Sequence, residues 1–218
     1  MIKTRFITLL TGLVMSGCVS GFGKPLPYDA WFIGFFAPSY MEVWIETADV
    51  VDIDERVYRQ AMSGFASIRT PPENLGDPKG WPNRPGMGAG KHVIGAKIPR
   101  LIYVRWQSLA EPQTYDVYFE IPQPVRDLMM EPTKTFCNAD GKWITDYRKM
   151  LTIGLAPGGI AKAWVGGPCL APIEVARVKG KIVTRGPYLG EMNGVYAAKL
   201  RPESQAYVDK FGIPFDSW

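Results

Sequence analysis

The chain has 218 residues, 46% of them hydrophobic, with 25 Lys and Arg against 21 Asp and Glu and a single His. That apolar content excludes a disordered chain, and the small positive balance excludes the basic stripe that nucleic-acid binding needs. One imidazole leaves little room for His-based metal sites or general-base chemistry.

In chain order, Lys3 and Arg5 open the sequence, an apolar run from Phe6 to Met15 follows, and Ser16-Gly17-Cys18 closes it. A positive start, a short apolar stretch and small residues at a cut site predict a secretory signal peptide over residues 1–17. The run is about half of the ~20 residues that span a bilayer. Met15-Ser16-Gly17-Cys18 resembles the bacterial lipobox. In that pathway the Cys thiol receives a diacylglyceryl group, and cleavage leaves Cys18 as the acylated N-terminus. Val19 rather than Asp follows, which by analogy favours the outer membrane, with the chain facing the periplasm. Added acyl chains make such an anchor stable. Residues 18–27 read as the lipidated Cys and a Gly/Pro-rich tether. Removal of Lys3 and Arg5 leaves 25 − 2 = 23 basic against 21 acidic residues, an excess of +2. Residues 28–218 are enough for one domain with its own core.

The domain reads as strand-rich. Trp31–Phe36 is a short apolar run. Met41–Glu46 alternates, with Met41, Val43 and Ile45 on one face and Glu42, Trp44 and Glu46 on the other. Leu101–Trp106, Thr114–Ile121, Met150–Leu155, Ile160–Val165 and Ile173–Val178 are β-branched or aromatic and bounded by Gly, Pro or polar turns. Two helices are predicted. Pro124–Met130 is short. Pro202–Phe211 has Pro in its first turn, Glu203 near its positive end and Gly212 to close it. The fold class is therefore mainly β: antiparallel sheets packed sandwich-like, with one or two short helices including a C-terminal one.

Between Thr70 and Gly90 the chain is dense in Pro and Gly and has no periodicity. Trp81 and Met87 within it predict a packed Ω-type loop or a partner-binding loop. Ile33-Gly-Phe-Phe-Ala37-Pro38 running on to Trp44 is echoed by Ile153-Gly-Leu-Ala-Pro157 running on to Trp164, and both read as a strand, an Ala-Pro turn and a return strand. Cys137 and Cys169, an even pair in an oxidising compartment, predict a disulfide. Closing that loop contributes ~3 kcal/mol by chain-entropy arguments.

The chemical constellations fail one by one. Pro85-Gly-Met-Gly-Ala-Gly-Lys91-His92 has Pro85 where a phosphate loop needs Gly, and His92 where it needs Ser or Thr. No Gly-x-Ser-x-Gly elbow is present, so His92 reads as a structural or surface residue. Asp49, Asp52, Asp54 and Glu55 lack calcium-loop spacing and read as a solvated strand end. Glu42 and Glu46 beside Trp44 are too commonplace a pattern for a glycosidase pair. No catalytic residue, metal site or cofactor is expected.

Several stretches together resemble the bacterial lipoprotein family known as domain of unknown function 2931: Ala37-Pro-Ser-Tyr-Met-Glu-Val-Trp44, Trp106–Tyr115, Ile153–Gly159 with Trp164, Gly186-Pro-Tyr-Leu-Gly190 and Gly212–Trp218. The resemblance implies an envelope lipoprotein and supplies no active-site residues. Members of such families are sometimes encoded beside lipase toxins of the type VI secretion system, where periplasmic lipoproteins act as immunity proteins. The expectation is a non-enzymatic binding protein, most concretely one that neutralises a periplasmic phospholipase toxin. Its membrane contact is the lipid on Cys18. Its partner-binding candidates are Trp81 and Met87 on the loop, with Glu42, Trp44 and Glu46 as the rival face. The alternative is a structural or assembly lipoprotein of the envelope, and a weaker one a hydrolase with an unrecognised site.

Overall fold

The computed structural model describes residues 25–218. The predicted signal peptide, Cys18 and the start of the tether therefore lie outside the described residues. Twelve strands and two α-helices follow. They are β1 (Ala30–Phe36), β2 (Val43–Asp52), β3 (Val57–Phe65), β4 (Ala89–Ile94), β5 (Pro99–Ser108), β6 (Gln113–Glu120), α1 (Gln123–Met130), β7 (Thr133–Cys137), β8 (Lys142–Asp146), β9 (Met150–Ala156), β10 (Ile160–Gly166), β11 (Ile173–Lys179), β12 (Lys181–Ile182) and α2 (Pro202–Phe211). One sheet has the order β11-β10-β9-β1-β4 and the other β12-β6-β5-β2-β3, while β7 and β8 form a separate two-stranded hairpin.

The two five-stranded sheets share one apolar core. Trp31, Ile33 and Phe35 of β1, Leu151, Ile153 and Leu155 of β9, and Ala161, Ala163 and Val165 of β10 come from the first sheet. Ile45 and Val50 of β2, Ile102, Val104 and Trp106 of β5, and Val117 and Phe119 of β6 come from the second. Each set is spaced by two, as a strand that buries one face requires. The exception is β2, whose core residues Val43 and Ile45 are followed by Ala48 and Val50. Its register against β3 and β5 shifts between Ile45 and Ala48. The extra residue of a bulge flips the parity of all that follows. Alternation therefore marks the strand only as far as Glu46, although pairing runs on to Asp52.

The sandwich is not wholly antiparallel. β1 and β9 pair in parallel, with Ile33 opposite Leu151 and Phe35 opposite Ile153. After β1 the chain visits the second sheet, returns antiparallel to β1 as β4, leaves again as β5 and β6, and comes back on the other side of β1, running the same way, as β9. The two echoed motifs also part here. Ala156-Pro157 turns a true hairpin, with Ala156 opposite Ile160 and Ile153 opposite Ala163. At Ala37-Pro38 the Met41 N–H donates to the Pro38 carbonyl, Tyr40 takes a left-handed φ of 65°, and the chain crosses to the other sheet.

The predicted disulfide joins Cys137, at the end of β7, to Cys169, just past β10, with Cα atoms 5.0 Å apart. It ties the β7–β8 hairpin to the first sheet. A second apolar cluster covers one end of the sandwich, where Tyr40, Met41, Ala156, Tyr207 of α2 and the final Trp218 are buried together. Tyr40 and Tyr207 stack at 4.3 Å. The Tyr40 hydroxyl donates to the Pro71 carbonyl and accepts from the Gly76 N–H, and the Trp218 indole donates to the Pro78 carbonyl. The Pro/Gly stretch is thus pinned at its start by two aromatic side chains.

Candidate functional site

Both outer faces of the sandwich are covered by long segments, and the sequence-predicted site residues are divided between them. On the second sheet Glu42 and Glu46 do point away from the core, yet neither meets solvent: they are 1% and 6% exposed. Residues 183–201 lie over them. One Glu46 oxygen accepts from Gln107 Nε2 at 2.9 Å and from the Tyr188 N–H at 2.7 Å, and the other is held by Arg105 Nε. Gln107 in turn accepts from the Ala197 N–H at 2.7 Å. Glu42 accepts from Ser204 Oγ at 2.6 Å and from Arg201 Nε at 3.0 Å, at the start of α2. An anion there is favoured by the helix dipole. The expected exposed face is therefore corrected: Glu42 and Glu46 are buried and hold the C-terminal segment on the sheet, and of their four carboxylate oxygens only Glu42 Oε2 lacks a hydrogen-bond partner. Burial works against the charge on Arg105, but Glu46 outweighs it and the guanidinium is held above its ordinary pKa. Trp44 lies between them, half-buried and edge-on to Phe65 at 4.9 Å.

Asp52 needs the same correction. It is fully buried rather than solvated. Its carboxylate accepts from the N–H groups of Asp54 and Arg56 in the β2–β3 turn and from the Lys97 N–H. The glycines of the failed phosphate loop also find a structural reason. A Cβ on Gly90 would stand 1.9 Å from the Ile33 carbonyl oxygen, so β4 can pair there with β1 only through glycine. His92 is exposed on β4, its ring edge-on to Phe32 at 5.3 Å.

On the first sheet the Pro/Gly stretch is a packed loop. Trp81 lies edge-on to Phe36 and Trp164, both at 5.6 Å. It sits over Gly154, where a Cβ would come within 2.4 Å of the indole. Trp81 is thus a half-buried clamp and not a projecting anchor. Met87, further along, is 44% exposed. Between the loop and the turns after β1 and β3 lies a cleft of about 440 Å³, lined by Phe36, Ser39, Arg69, Lys79, Trp81 and Arg84 among others. Arg69, Lys79 and Arg84 are exposed at its rim with Asp77. The buried Trp81 Nε1 has no hydrogen-bond partner, which marks a place where an acceptor is wanted. An aromatic floor with a cationic rim suits a partner's acidic or carbonyl-rich segment. The cations were not singled out from sequence, since nothing local distinguishes Arg69 or Arg84 from a solvated residue.

Glu111, also missed, joins two of the resembling stretches. It lies in the β5–β6 turn, and its carboxylate accepts from the Gly158 N–H at 2.9 and 3.1 Å. Burial raises its carboxyl above the usual range, against the opposing pull of that N–H. No group of three or more His, Cys, Asp and Glu placed to hold a metal occurs among the described residues. No helix among them is long and apolar enough to cross a membrane.

These features define a two-sheet β-sandwich with long segments secured over both outer faces and a cation-rimmed cleft under one of them. The chain belongs to the family described as "Protein of unknown function (DUF2931)", which it matches over residues 19–216. No curated protein and no solved structure matches it.

Proposed function

We propose that the chain is an envelope lipoprotein, acylated at Cys18 and facing the periplasm from the outer membrane, that works by binding rather than by catalysis. Its partner on this reading is a periplasmic phospholipase toxin, and the chain is the immunity protein. The observation that carries the binding assignment is the Pro/Gly loop, clamped by Trp81 yet presenting Met87 and the Arg69–Lys79–Arg84 rim. A segment already fixed in place loses little freedom on association, and exposed apolar and Arg side chains around a concave centre are what interfaces use. An inhibitor of an enzyme that attacks membrane lipid gains from being held at the same surface, where tethering raises its effective concentration.

Co-expression with a lipase encoded beside the gene and sent to the periplasm tests the reading. The wild type protects the cell, and Arg84→Glu combined with Met87→Asp removes protection while the melting temperature stays within a few degrees. If no lipase is encoded nearby and envelope pull-downs recover only assembly proteins, the immunity reading falls and the assembly lipoprotein takes its place.

A further inference from the structure

The β7–β8 hairpin holds two aromatic side chains of its outer face in solvent. Phe136 and Trp143 are directly opposed across it, edge to face at 5.9 Å, and remain 44% and 65% exposed. Of the seven Trp in the chain, Trp143 is the only one that stands largely in solvent, since all the others are buried or half-buried. Lys134 and Thr145 share its face, as the pairing of Lys134 with Thr145 requires. The Lys134 ammonium lies 5.8 Å from the Trp143 ring centre. The neighbouring acids Glu131 and Asp140 lie before β7 and in the turn, not on this face.

The opposite face is fixed to the body. The Thr135 hydroxyl donates to the Cys169 carbonyl at 3.3 Å, Arg148 donates to the Thr133 hydroxyl at 2.9 Å, and the Cys137–Cys169 bond closes the far end. An isolated two-stranded hairpin is marginal in water. This one is held rigidly with its aromatic pair turned outward.

The position of the hairpin says what it faces. The described chain begins beside its feet: the Tyr28 hydroxyl donates to the Met129 carbonyl at 3.0 Å, and the Tyr28 ring meets Tyr147 at 5.5 Å. Met129 lies just before β7 and Tyr147 directly follows β8. Cys18 is ten residues before Tyr28, so an acyl group on it holds the feet of the hairpin within about 35 Å of the bilayer at full extension. Five-residue strands are themselves about 17 Å long.

We propose that the Lys134–Phe136–Trp143–Thr145 face of this hairpin is a membrane-docking surface that seats in the headgroup region of the bilayer holding the chain. It rests on the anchoring part of the reading above and not on the identity of the partner. Trp and Tyr favour that region because one end of the ring is apolar and the other can hydrogen-bond. Lys134 can bury its stem while its ammonium meets anionic headgroups. The contact is weak alone and becomes populated because the anchor makes it intramolecular. Docking there would orient the domain on the membrane instead of leaving it free on its tether.

The test is made independent of native lipidation. The mature chain, with Cys18→Ser and an N-terminal histidine tag, is held on vesicles of phosphatidylethanolamine and phosphatidylglycerol containing a nickel-chelating lipid. Brominated acyl chains then quench any Trp that reaches the hydrocarbon boundary. The expected result is quenching of this protein, loss of that quenching in Trp143→Phe, and its weakening in Lys134→Glu, with unchanged near-ultraviolet circular dichroism in both. No quenching, or equal quenching in Trp143→Phe, overturns the proposal. Fatty-acid labelling of the natural chain is read separately. Its absence removes the anchor but leaves a positive quenching result standing, whereas labelling without quenching removes the docking surface alone.

Discussion

The two outer faces of the sandwich are covered by segments of similar character, both irregular and rich in turns, yet they are held by opposite physics. Residues 183–201 are held on the second sheet by buried carboxylates: Glu46 takes Arg105, Gln107 and the Tyr188 N–H, and Glu42 takes Arg201 and Ser204. The Pro/Gly loop is held on the first sheet by an indole laid on a glycine, Trp81 over Gly154, with Phe36 and Trp164 beside it. A buried charge is costly unless it is paired and hydrogen-bonded, so a polar closure spends most of its acceptors inside the chain, and here only Glu42 Oε2 is left buried without a partner. An aromatic clamp consumes one side chain and leaves the rest of its loop for other contacts. Several residues of the resembling stretches are therefore internal fasteners, Glu42 and Tyr188 among them.

The sharpest way to break this comparison is Glu46→Ala. It strands Arg105 and Gln107 and frees the Tyr188 N–H, and the expected loss is about 3–5 kcal/mol, read as a lowered urea midpoint. Next in size is Cys137→Ser with Cys169→Ser. Opening a loop whose ends are 32 positions apart should cost ~3 kcal/mol by loop entropy, and hydrogen exchange should show β7 and β8 fraying first. Trp81→Ala should cost roughly 2–3 kcal/mol, less than a fully buried Trp because it is half-exposed. The lost protection should be confined to residues 78–88. This variant disturbs the loop itself, so it is a poor probe of binding, whereas Arg84 and Met87 are good ones.

The smallest effect is electrostatic. The carboxyl of Glu111 is raised in the folded chain by burial. A raised pKa contributes stability that is present below the ordinary carboxylate range and lost as pH rises through the folded value. Glu111→Gln keeps an acceptor for the Gly158 N–H and should flatten that decline. A stability–pH curve of unchanged slope in the variant would show that Glu111 does not carry it.

Much of the sandwich was legible because its central strands are buried on at least one face and must alternate or run apolar. The seven strands expected from pattern, from Trp31–Phe36 to Ile173–Val178, are all present, and the C-terminal helix spans the expected Pro202–Phe211. The strands that escaped are those with little to bury. β3 and β4 are sheet edges, and β3 contains Gln60 and Gly64 at positive φ. β7 and β8 keep one face in water. The second half of β2 was hidden by the bulge after Ile45, which breaks the alternation without ending the strand.

The site was less legible for a different reason. Glu42 and Glu46 were placed on the correct face of their strand, but sequence periodicity tells inward from outward, not covered from bare. What covers them arrives 142 residues later for Glu46, at Tyr188, and 162 residues later for Glu42, at Ser204. Gly186-Pro-Tyr-Leu-Gly190 carries no sign of its partner, although Tyr188 and Leu189 both take left-handed backbone angles there.

The most direct measurement is hydrogen exchange of Glu46→Ala beside the wild type. The polar closure should protect the amides of Tyr188 and Ala197 in the wild type and lose that protection in Glu46→Ala, while residues 78–88 exchange as before. Fast exchange of Tyr188 and Ala197 already in the wild type, or loss of protection spread equally over both covering segments, would contradict the division of labour between the two faces.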